Sequence, residues 1–404
     1  MLIKLAWRNV WRSKTRSVVV IIAIALGLLA GVFSSAFVEG MMKQKVDNVI
    51  DLEMSHFQFH HSKFRDELAS KYIIQKSEDI FKELESDNEV DAFCYRIKTM
   101  AMMASANHTN GVRITGVVPG LESKITPLKS NIIEGKYFDG VKRNPILVSN
   151  KIAKKYKLKV RSKVVVTFQD VNNEMISSAF RVAGIFNSHN GLYDEMNVFV
   201  RYDDLQNLLK IENGTHEIAV RIKEYQRAEN IANKYQNKYS KLEVLPWMDL
   251  ATGMRYMIEM MGSYTLILVG IIMFALIFSI INTMLMAVLE RTREIGMLMA
   301  VGMSRSKIFI MIMLESIYLS LIGGPIGLLI SWLLISYFGN SGIDLGGAGE
   351  VYEDLGYSSI IYPYLNMESY LQVTFMVLIM AILAAIYPAR KALKLNPVEA
   401  IRKL

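Results

Sequence analysis

Residues 290–307 read ERTREIGMLMAVGMSRSK, and this short charged segment separates two long apolar runs. The run before it, residues 260–289, has no charged side chain, and the run after it, residues 308–343, has only Glu315. Each run is longer than the roughly 20 apolar residues that a membrane-spanning helix needs. A charged segment of this length between two spans is expected to form a tight loop on one side of a membrane.

The charged segment has the pattern of a short helix. Ile295, Leu298 and Met299 recur at i, i+3 and i+4. Glu294 stands where a first helical turn opens, and Gly302 stands where a helix ends. A helix of roughly two turns is not stable alone in water, so it is expected to dock against a partner. The alternative is a plain turn whose basic residues serve only membrane topology.

Three separated motifs resemble those of one permease family. The first comprises residues 290–296 (ERTREIG) and 300–302 (AVG). The second comprises residues 387–392 (YPARKA) and 396–400 (NPVEA), and the third is WRN at residues 7–9. Together they resemble the FtsX-like permeases, a superfamily that includes FtsX, MacB and the LolC/LolE lipoprotein-releasing subunits. The resemblance spans essentially the whole chain.

The resemblance implies a role for the charged segment. In the family the equivalent segment contacts a cytoplasmic ATPase, so residues 290–307 are interpreted as a cytoplasmic coupling helix. The residues expected to couple to the ATPase are Glu290, Arg291, Thr292, Arg293, Glu294, Ile295, Gly296, Leu298, Met299 and Gly302.

Basic residues cluster in three places along the chain. The formal net charge is +8, and 52% of the residues are hydrophobic while 21% are charged. The excess of Lys and Arg falls in residues 1–16, 290–307 and 390–404. Because cytoplasmic segments of membrane proteins carry such an excess, the three clusters mark the cytoplasmic face. The same distribution argues against a nucleic-acid-binding surface.

The apolar runs predict four spans in a bacterial inner membrane, with both termini in the cytoplasm. Residues 1–16 have the amphipathic pattern of a helix that lies in the membrane interface. The loop 338–367 has no Lys or Arg, which indicates an outside location. The predicted order is interfacial helix 1–16, first span 17–38, extracytoplasmic domain 39–255, second span 260–289, coupling helix 290–307, third span 308–337, extracytoplasmic loop 338–367, fourth span 369–389 and cytoplasmic tail 390–404.

The large polar region between the first two spans predicts an α/β domain. Strand, helix and strand patterns occur at about residues 50–111 and again at 206–250, which predicts a split βαβ arrangement in one mixed sheet. A β-rich part is inserted between them at about residues 112–205. This region resembles the MacB-like periplasmic core domain. The predicted fold class is therefore an α+β membrane protein with four transmembrane helices.

The chain lacks the residues of an ATP-hydrolysing site. Gly135-Lys136 is its only Gly-Lys pair, and no glycine stands five residues before Gly135. The chain is thus not expected to be an enzyme or to hold a cofactor, and ATP and Mg are expected in a partner ATPase. No metal site is expected, because His56 and His60 on one strand would lie about 13 Å apart.

Two further features each allow two interpretations. Glu315 near the cytoplasmic end of the third span has either a structural or a functional role, since a charge is costly in lipid. Residues 187–195 (NSHNGLYDE) form either a long turn or a loop that contacts substrate.

A row of apolar residues enters the second span at helical spacing. Methionine side chains make adaptable apolar surfaces that suit variable acyl chains, although ordinary packing is the alternative. Combined with the outer end of the first span, the row predicts a substrate-binding wall. Its residues are Phe33, Phe37, Met257, Met261, Tyr264 and Leu268.

The family resemblance implies a permease subunit of an ABC complex that works by mechanotransmission. Chain length and domain size look most similar to LolC/LolE, so the expected activity is lipoprotein release from the inner membrane. The expected partners are a separate ATPase, a second permease subunit in a homo- or heterodimer, a lipoprotein substrate and a periplasmic carrier. The alternatives are an FtsX-like transducer that activates a cell-wall hydrolase and a MacB-like exporter of peptides or small molecules.

Overall fold

The computed structural model describes residues 2–12, 14–105 and 108–393, and its internal contacts divide the chain into two units. The helical unit comprises Met1–Lys43, Glu259–Ile343 and Ile361–Leu404, and the α/β unit comprises Gln44–Ile258 and Asp344–Ile360. The motif at 396–400 and the cytoplasmic tail beyond residue 393 lie outside the described residues.

The secondary structure alternates between very long helices and short elements. The helices are α1 (Leu2–Arg12), α2 (Lys14–Val49), α3 (Phe64–Glu67), α4 (Ser77–Ser86), α5 (Pro119–Ile125), α6 (Asn150–Tyr156), α7 (Gly191–Met196), α8 (Tyr202–Leu209), α9 (Ala228–Lys238), α10 (Trp247–Leu250), α11 (Thr252–Glu290), α12 (Thr292–Ala300), α13 (Arg305–Ser341), α14 (Gly349–Asp354) and α15 (Met367–Leu393). The strands are β1 (Phe57–His61), β2 (Val90–Ala104), β3 (Thr109–Val117), β4 (Ile132–Gly135), β5 (Pro145–Ser149), β6 (Lys163–Gln169), β7 (Met175–Phe186), β8 (Asn197–Arg201), β9 (Glu217–Ile222), β10 (Leu242–Pro246), β11 (Ile343–Asp344) and β12 (Ile360–Ile361).

Four helices among the described residues are long and apolar enough to cross a membrane. They fall at Ser17–Met54, Thr252–Glu290, Arg305–Ser341 and Met367–Leu393, and each contains one of the predicted spans. The prediction of four transmembrane helices is thus confirmed at the level of length and composition. Helix α11 has 39 residues, or about 58 Å, which exceeds the ~30 Å of bilayer hydrocarbon. Helix α2 runs 11 residues past the predicted end of its span, because it continues through polar residues that the apolar pattern did not include, whereas α13 exceeds its predicted span by only three and four residues.

Glycines let α13 lie directly against α2 inside the helical unit. A Cβ atom on Gly323 would stand 2.9 Å from the carbonyl oxygen of Ile21, and one on Gly327 would stand 2.7 Å from that of Ala25. Neither distance leaves room for a side chain, so the two backbones meet as small residues allow in membrane helices. Pro325 lies inside the same helix.

The first four-strand group of the α/β unit has the predicted split βαβ arrangement. The order is β10-β1-β9-β2, with α4 connecting β1 to β2 and α9 connecting β9 to β10. Every pairing within this group is antiparallel, so the group itself is not mixed. The reason is that β9 inserts between β1 and β2, which run parallel but do not touch. The parallel pairs, β3 with β8 and β5 with β7, belong to the inserted part.

The inserted part closes into a six-stranded barrel. Its strands pair in the cycle β2-β3-β8-β5-β7-β6, and β6 returns to β2 with Ala101 opposite Phe168. Strand β2 is shared, because its first half pairs with β9 and its second half with β6. The structure therefore draws the boundary between the two parts inside β2, not near residue 112.

A buried charge network holds α5 on the sheet. Arg96 donates to both carboxylate oxygens of Glu122 at 2.9 and 2.8 Å, and to Glu217 at 2.7 Å. Lys98 donates to Glu217 at 2.6 Å. Burial alone would raise the pKa of Glu217, but Lys98 and Arg96 lower it to about 2. These charges satisfy one another, as buried ions must.

Candidate coupling site

A network of three residues joins α1 to the charged segment 290–307. Asn9 of α1 donates from Nδ2 to Glu315 Oε1 of α13 at 2.7 Å. Arg291, just before α12, donates from Nη2 to the carbonyl oxygen of Asn9 at 2.7 Å. Its Nη1 lies 3.4 Å from each carboxylate oxygen of Glu315. Arg291 thus contacts α1 and α13 with one guanidinium group.

The charges of this network are largely removed from solvent. The Arg291 and Glu315 side chains are 16% and 12% exposed. A buried charge without a partner costs several kcal/mol, whereas paired and hydrogen-bonded charges are tolerated. The geometry favours the structural interpretation of Glu315, which serves as the counterion of Arg291.

A second ion pair lies between α1 and α12 at the surface. Arg12 donates to both carboxylate oxygens of Glu294, at 2.7 and 3.0 Å. The two side chains are 64% and 38% exposed, so the pair contributes no more than about 1 kcal/mol. The bidentate Arg12–Glu294 geometry fixes the orientation of Glu294 in the first turn of α12.

Apolar contacts bring the remaining motif into the same place. Ile295 of α12 is 4% exposed and packs in one cluster with Val10, Ile308, Ala389 and Ala392. The two alanines come from the YPARKA motif, whose small side chains let α15 approach this cluster. Segments 7–9, 290–302 and 387–392, distant in sequence, are therefore neighbours in the helical unit.

The predicted coupling residues divide into two groups by exposure. Helix α12 covers Thr292–Ala300, and Gly302 follows it with φ +95°, a left-handed conformation that suits glycine at a helix end. Residues that face inward or are partly covered are Arg291, Thr292, Glu294, Ile295, Gly296, Leu298 and Met299. Residues that face solvent are Glu290, Arg293 and Gly302, together with Met297 and Val301, which the sequence pattern did not single out.

A cavity of about 420 Å³ lies directly beside the network. The described residues that line it are apolar apart from five polar or charged side chains, which are Asn9, Arg12, Arg291, Glu294 and Glu315. Val301, which is 88% exposed, and Met297 are part of its lining. An exposed apolar surface beside fixed charges is typical of a protein-docking site.

The predicted substrate wall is only partly assembled in the described contacts. Phe33 makes a ring contact with Phe338 of α13, at 6.2 Å between centroids. Phe37, Met261 and Leu268 are half-buried in the helical unit, whereas Tyr264 is 57% exposed. Met257 is half-buried and belongs to the α/β unit. The half-buried positions favour ordinary packing for part of the row, and the wall stays a prediction.

Sequence reasoning missed the partners that α1 contributes. Asn9 was noted only as part of the WRN motif, and Arg12 only as one of the basic residues. Their partners lie about 280 to 306 residues away along the chain. A helical-spacing signal existed, since Leu5, Asn9 and Arg12 share one face of α1 and all three line the cavity.

These features define a four-helix membrane protein with a large α/β unit between its first two long helices. Comparison with protein families identifies the family to which this chain belongs. The MacB-like periplasmic core domain model matches residues 17–238, and the FtsX-like permease C-terminal model matches residues 266–397. The chain therefore belongs to the FtsX-like permeases that carry a MacB-like periplasmic core domain.

Individual relatives agree with this family. An uncharacterized ABC transporter permease of Methanocaldococcus jannaschii is 26% identical over 55% of this chain and 55% of its own length. The uncharacterized ABC transporter permease YknZ of Bacillus subtilis is 30% identical over 43% of this chain and 40% of its own. A macrolide export ATP-binding/permease protein MacB of Chlorobium luteolum is 35% identical over 30% of this chain and 16% of its own. The chain thus aligns with about half or less of the length of these relatives.

Two solved structures resemble the α/β unit at 12% identity. The extracellular domain of YknZ is matched with a TM-score of 0.33 over 47% of this chain and 100% of that domain. The periplasmic region of MacB from Actinobacillus actinomycetemcomitans is matched with a TM-score of 0.36 over 52% of this chain and 98% of that region.

Proposed function

We propose that this chain is the permease subunit of an ABC complex and that α12 docks on a cytoplasmic ATPase. The observation that carries the proposal is the Asn9–Arg291–Glu315 network, which holds the start of α12 against α1 and α13 on its inner side. Its outer surface meanwhile keeps Arg293, Met297 and Val301 exposed. A helix this short transmits force only if it is held on its inner side. The names of the relatives, which are ABC transporter permeases, support this assignment.

The network also supports a route for mechanotransmission. Arg291 lies at the end of α11, and its counterion Glu315 lies on α13, so a push on α12 acts on both long helices at once. Helix α11 continues without a break from Glu290 back to Thr252, and its first residues, up to Ile258, belong to the α/β unit. In this proposal the termini are cytoplasmic, the α/β unit is extracytoplasmic, and two permease subunits assemble with the ATPases.

For the substrate we propose lipoproteins that leave the inner membrane, with delivery to a periplasmic carrier. The proposed contact surface is the row on α11 that includes Met261, Tyr264 and Leu268. Burying an acyl chain there is worth about 0.8 kcal/mol per CH₂ relative to water, but close to nothing relative to a bilayer. Affinity alone therefore does not extract a lipid, and ATP-driven movement must supply the difference.

Two alternative functions rest on the same fold. Export of small molecules or peptides is supported by relatives named macrolide export proteins. Activation of an extracytoplasmic hydrolase, in which nothing crosses the membrane, is supported by the match to the FtsX-like family. The three functions differ in what contacts α11 and the α/β unit during the cycle.

Photo-crosslinking from native membranes distinguishes these functions. A photoreactive residue at Met261 or Tyr264 is expected to crosslink to acylated proteins at least fivefold more than one at Leu266, which is also apolar and on α11 but outside the row. Mass spectrometry of the adducts reports the partner. Equal adducts at all three positions, or adducts only to a hydrolase from a polar position such as His189, would contradict lipoprotein release.

A further inference from the structure

The connection between α13 and α15 folds onto the α/β unit through charged contacts. Lys151 of α6 forms an ion pair with Asp354 at the end of α14, and its Nζ also lies 3.5 Å from Glu195 of α7. His189 Nδ1, in the loop before α7, lies 3.6 Å from Glu353 Oε1. Lys151 and His189 thus face the acidic end of α14.

Backbone shape fits the two segments together more closely than charge does. A Cβ atom on Gly191, the first residue of α7, would stand 2.6 Å from the carbonyl oxygen of Glu353. Gly356 has φ +77°, and a Cβ atom there would stand 3.3 Å from Asn190 Oδ1. Asn190 itself caps α7 by accepting from Tyr193 N at 3.2 Å. Residues 353–356 therefore lie against Asn190 and Gly191, while His189, Leu192 and Glu195 of the same segment stay exposed.

The opposite side of the same connection is held by the end of α2. Lys45 donates to the carbonyl oxygen of Leu355 at 3.2 Å, and its ammonium group lies 3.8 Å from the centre of the Tyr357 ring. Gln44 donates to the carbonyl oxygen of Ile360 at 3.0 Å. All these residues belong to the α/β unit. The connection thus bridges α2 on one side and the barrel on the other.

The contacts to α7 are specific in shape but exposed to solvent. Asp354, His189 and Glu195 have side chains that are 64%, 60% and 55% exposed, whereas their partners Lys151 and Glu353 are 30% and 27% exposed. Exposed ion pairs contribute little stability each, in contrast to the fully buried Arg96–Glu217 network. A contact of this kind forms one defined arrangement and opens at small cost, which is what a reversible element requires.

We propose that residues 349–357 form a releasable latch that docks on α7 and opens when the complex turns over. This inference rests on the proposed ATP-driven function. The latch is continuous in sequence with α13, which carries Glu315, and with α15. It therefore gives movements of these two helices a route to the barrel that does not pass through α11.

The first test asks whether the latch is docked. In the full chain, Lys151→Cys and Asp354→Cys are combined and treated with a short reagent that has a thiol-reactive thiosulfonate at each end, which forms a disulfide with each cysteine and releases sulfinate. A reductant cleaves this crosslink, and Cys94, which is fully buried, is left in place. Adding Gly191→Ala places a Cβ against Glu353 and is expected to lower the crosslinking yield at least fivefold. Gly120→Ala is the matched control, because a Cβ there meets no atom within 4 Å. Equal yields in the two glycine variants would overturn the latch.

The second test asks whether the latch opens. The crosslinked chain, purified with its associated ATPase, is expected to hydrolyse ATP at least tenfold more slowly than the untreated complex, and reductant is expected to restore the rate. Each single-cysteine variant treated with the same reagent is the control. Turnover within twofold of the untreated complex would show residues 349–357 to be a fixed part of the α/β unit and would overturn the proposal. Failure of the untreated complex to bind an ATPase would instead contradict the proposed function, and the yields in the first test would still decide whether the latch exists.

Discussion

Arg291 and Glu315 form an ion pair, and each side chain is stabilised in its mostly buried position by the charge of the other. Their side chains are mostly buried, so removing one takes the opposite charge away from the other while Asn9 stays beside it. Replacing both by apolar residues removes the charges together. Comparing single and double variants of Arg291 and Glu315 therefore distinguishes the effect of a lone charge on stability from the loss of the contacts that position α12. A single substitution changes both at once.

We expect Arg291→Met and Glu315→Met each to lower the free energy of unfolding by about 3–5 kcal/mol, because each removes the opposite charge from beside a mostly buried ionised side chain. The double variant is expected to recover most of that loss while ATP hydrolysis stays uncoupled, since α12 is no longer tied to α1 and α13. Thermal unfolding in detergent and ATPase assays measure the two effects. Arg293→Met is the control for the stability measurement alone, because Arg293 is exposed in the same segment but belongs to the proposed ATPase-docking surface. Single variants as stable as this control would contradict the assignment.

His216 makes the α/β unit sensitive to acid. Burial lowers the pKa of His216 from 6.5 to about 4, and its Nδ1 accepts from Lys98 N at 3.0 Å while Nε2 lies 2.9 Å from the carbonyl oxygen of Ser70. The folded protein binds this proton less tightly than the unfolded chain does. The stability that neutral His216 provides is thus complete above pH 6.5 and is lost as the pH falls from 6.5 towards 4.

The expected size of this effect is about 3 kcal/mol, from 1.36 kcal/mol for each pKa unit. Thermal unfolding of the full chain should show a falling melting temperature over that pH range. We expect His216→Gln to flatten the fall partly, because buried His60 also has its pKa lowered to about 4 and still contributes. His108→Gln is the matched control, since His108 is exposed. The same pH dependence in all three proteins would contradict the account.

At the scale of elements, the spacing of apolar residues predicted a helix or strand wherever that element buries one face or lies in a uniformly apolar run. Apolar runs gave the four long helices, and alternation gave β1, β2, β9 and β10 within a few residues. The spacing of Ile295, Leu298 and Met299 gave α12. These signals are local, because a helix or strand with one buried face repeats its pattern within a few residues.

The elements that could not be predicted depend on pairing between distant residues. Closure of the barrel requires β6 to meet β2, and neither strand carries a sign of that partner in its own alternation. The latch has the same origin, since Lys151 and Asp354 are 203 residues apart. Long-range register is set by packing of the whole unit, so the inserted part looked in sequence like a separate β-rich piece.

At the scale of the whole molecule, the charge pattern and the network give one consistent arrangement. The basic segments 1–16 and 290–307 include the residues that meet at the coupling site, Arg12 and Arg291. The acidic loop 338–367 contains the latch, which lies in the α/β unit. The coupling site thus lies in the helical unit, and the latch lies in the α/β unit. The exposed surface of α12 is the place where we propose that the ATPase applies force.

The central claim, that α12 binds a cytoplasmic ATPase, is tested most directly by measuring how much ATPase copurifies with the chain. The full chain with Arg293→Ala and Glu294→Ala is purified from native membranes, and the amount of copurifying ATPase is compared with that of Lys14→Ala, an exposed basic residue at the start of α2. Arg293 is exposed for a charge-assisted contact with the ATPase, and Glu294 orients α12 through its ion pair with Arg12. The double variant is therefore expected to retain at most a tenth of the wild-type ATPase while the control retains all of it. Undiminished copurification and undiminished coupled ATP hydrolysis in the double variant would contradict the role of α12.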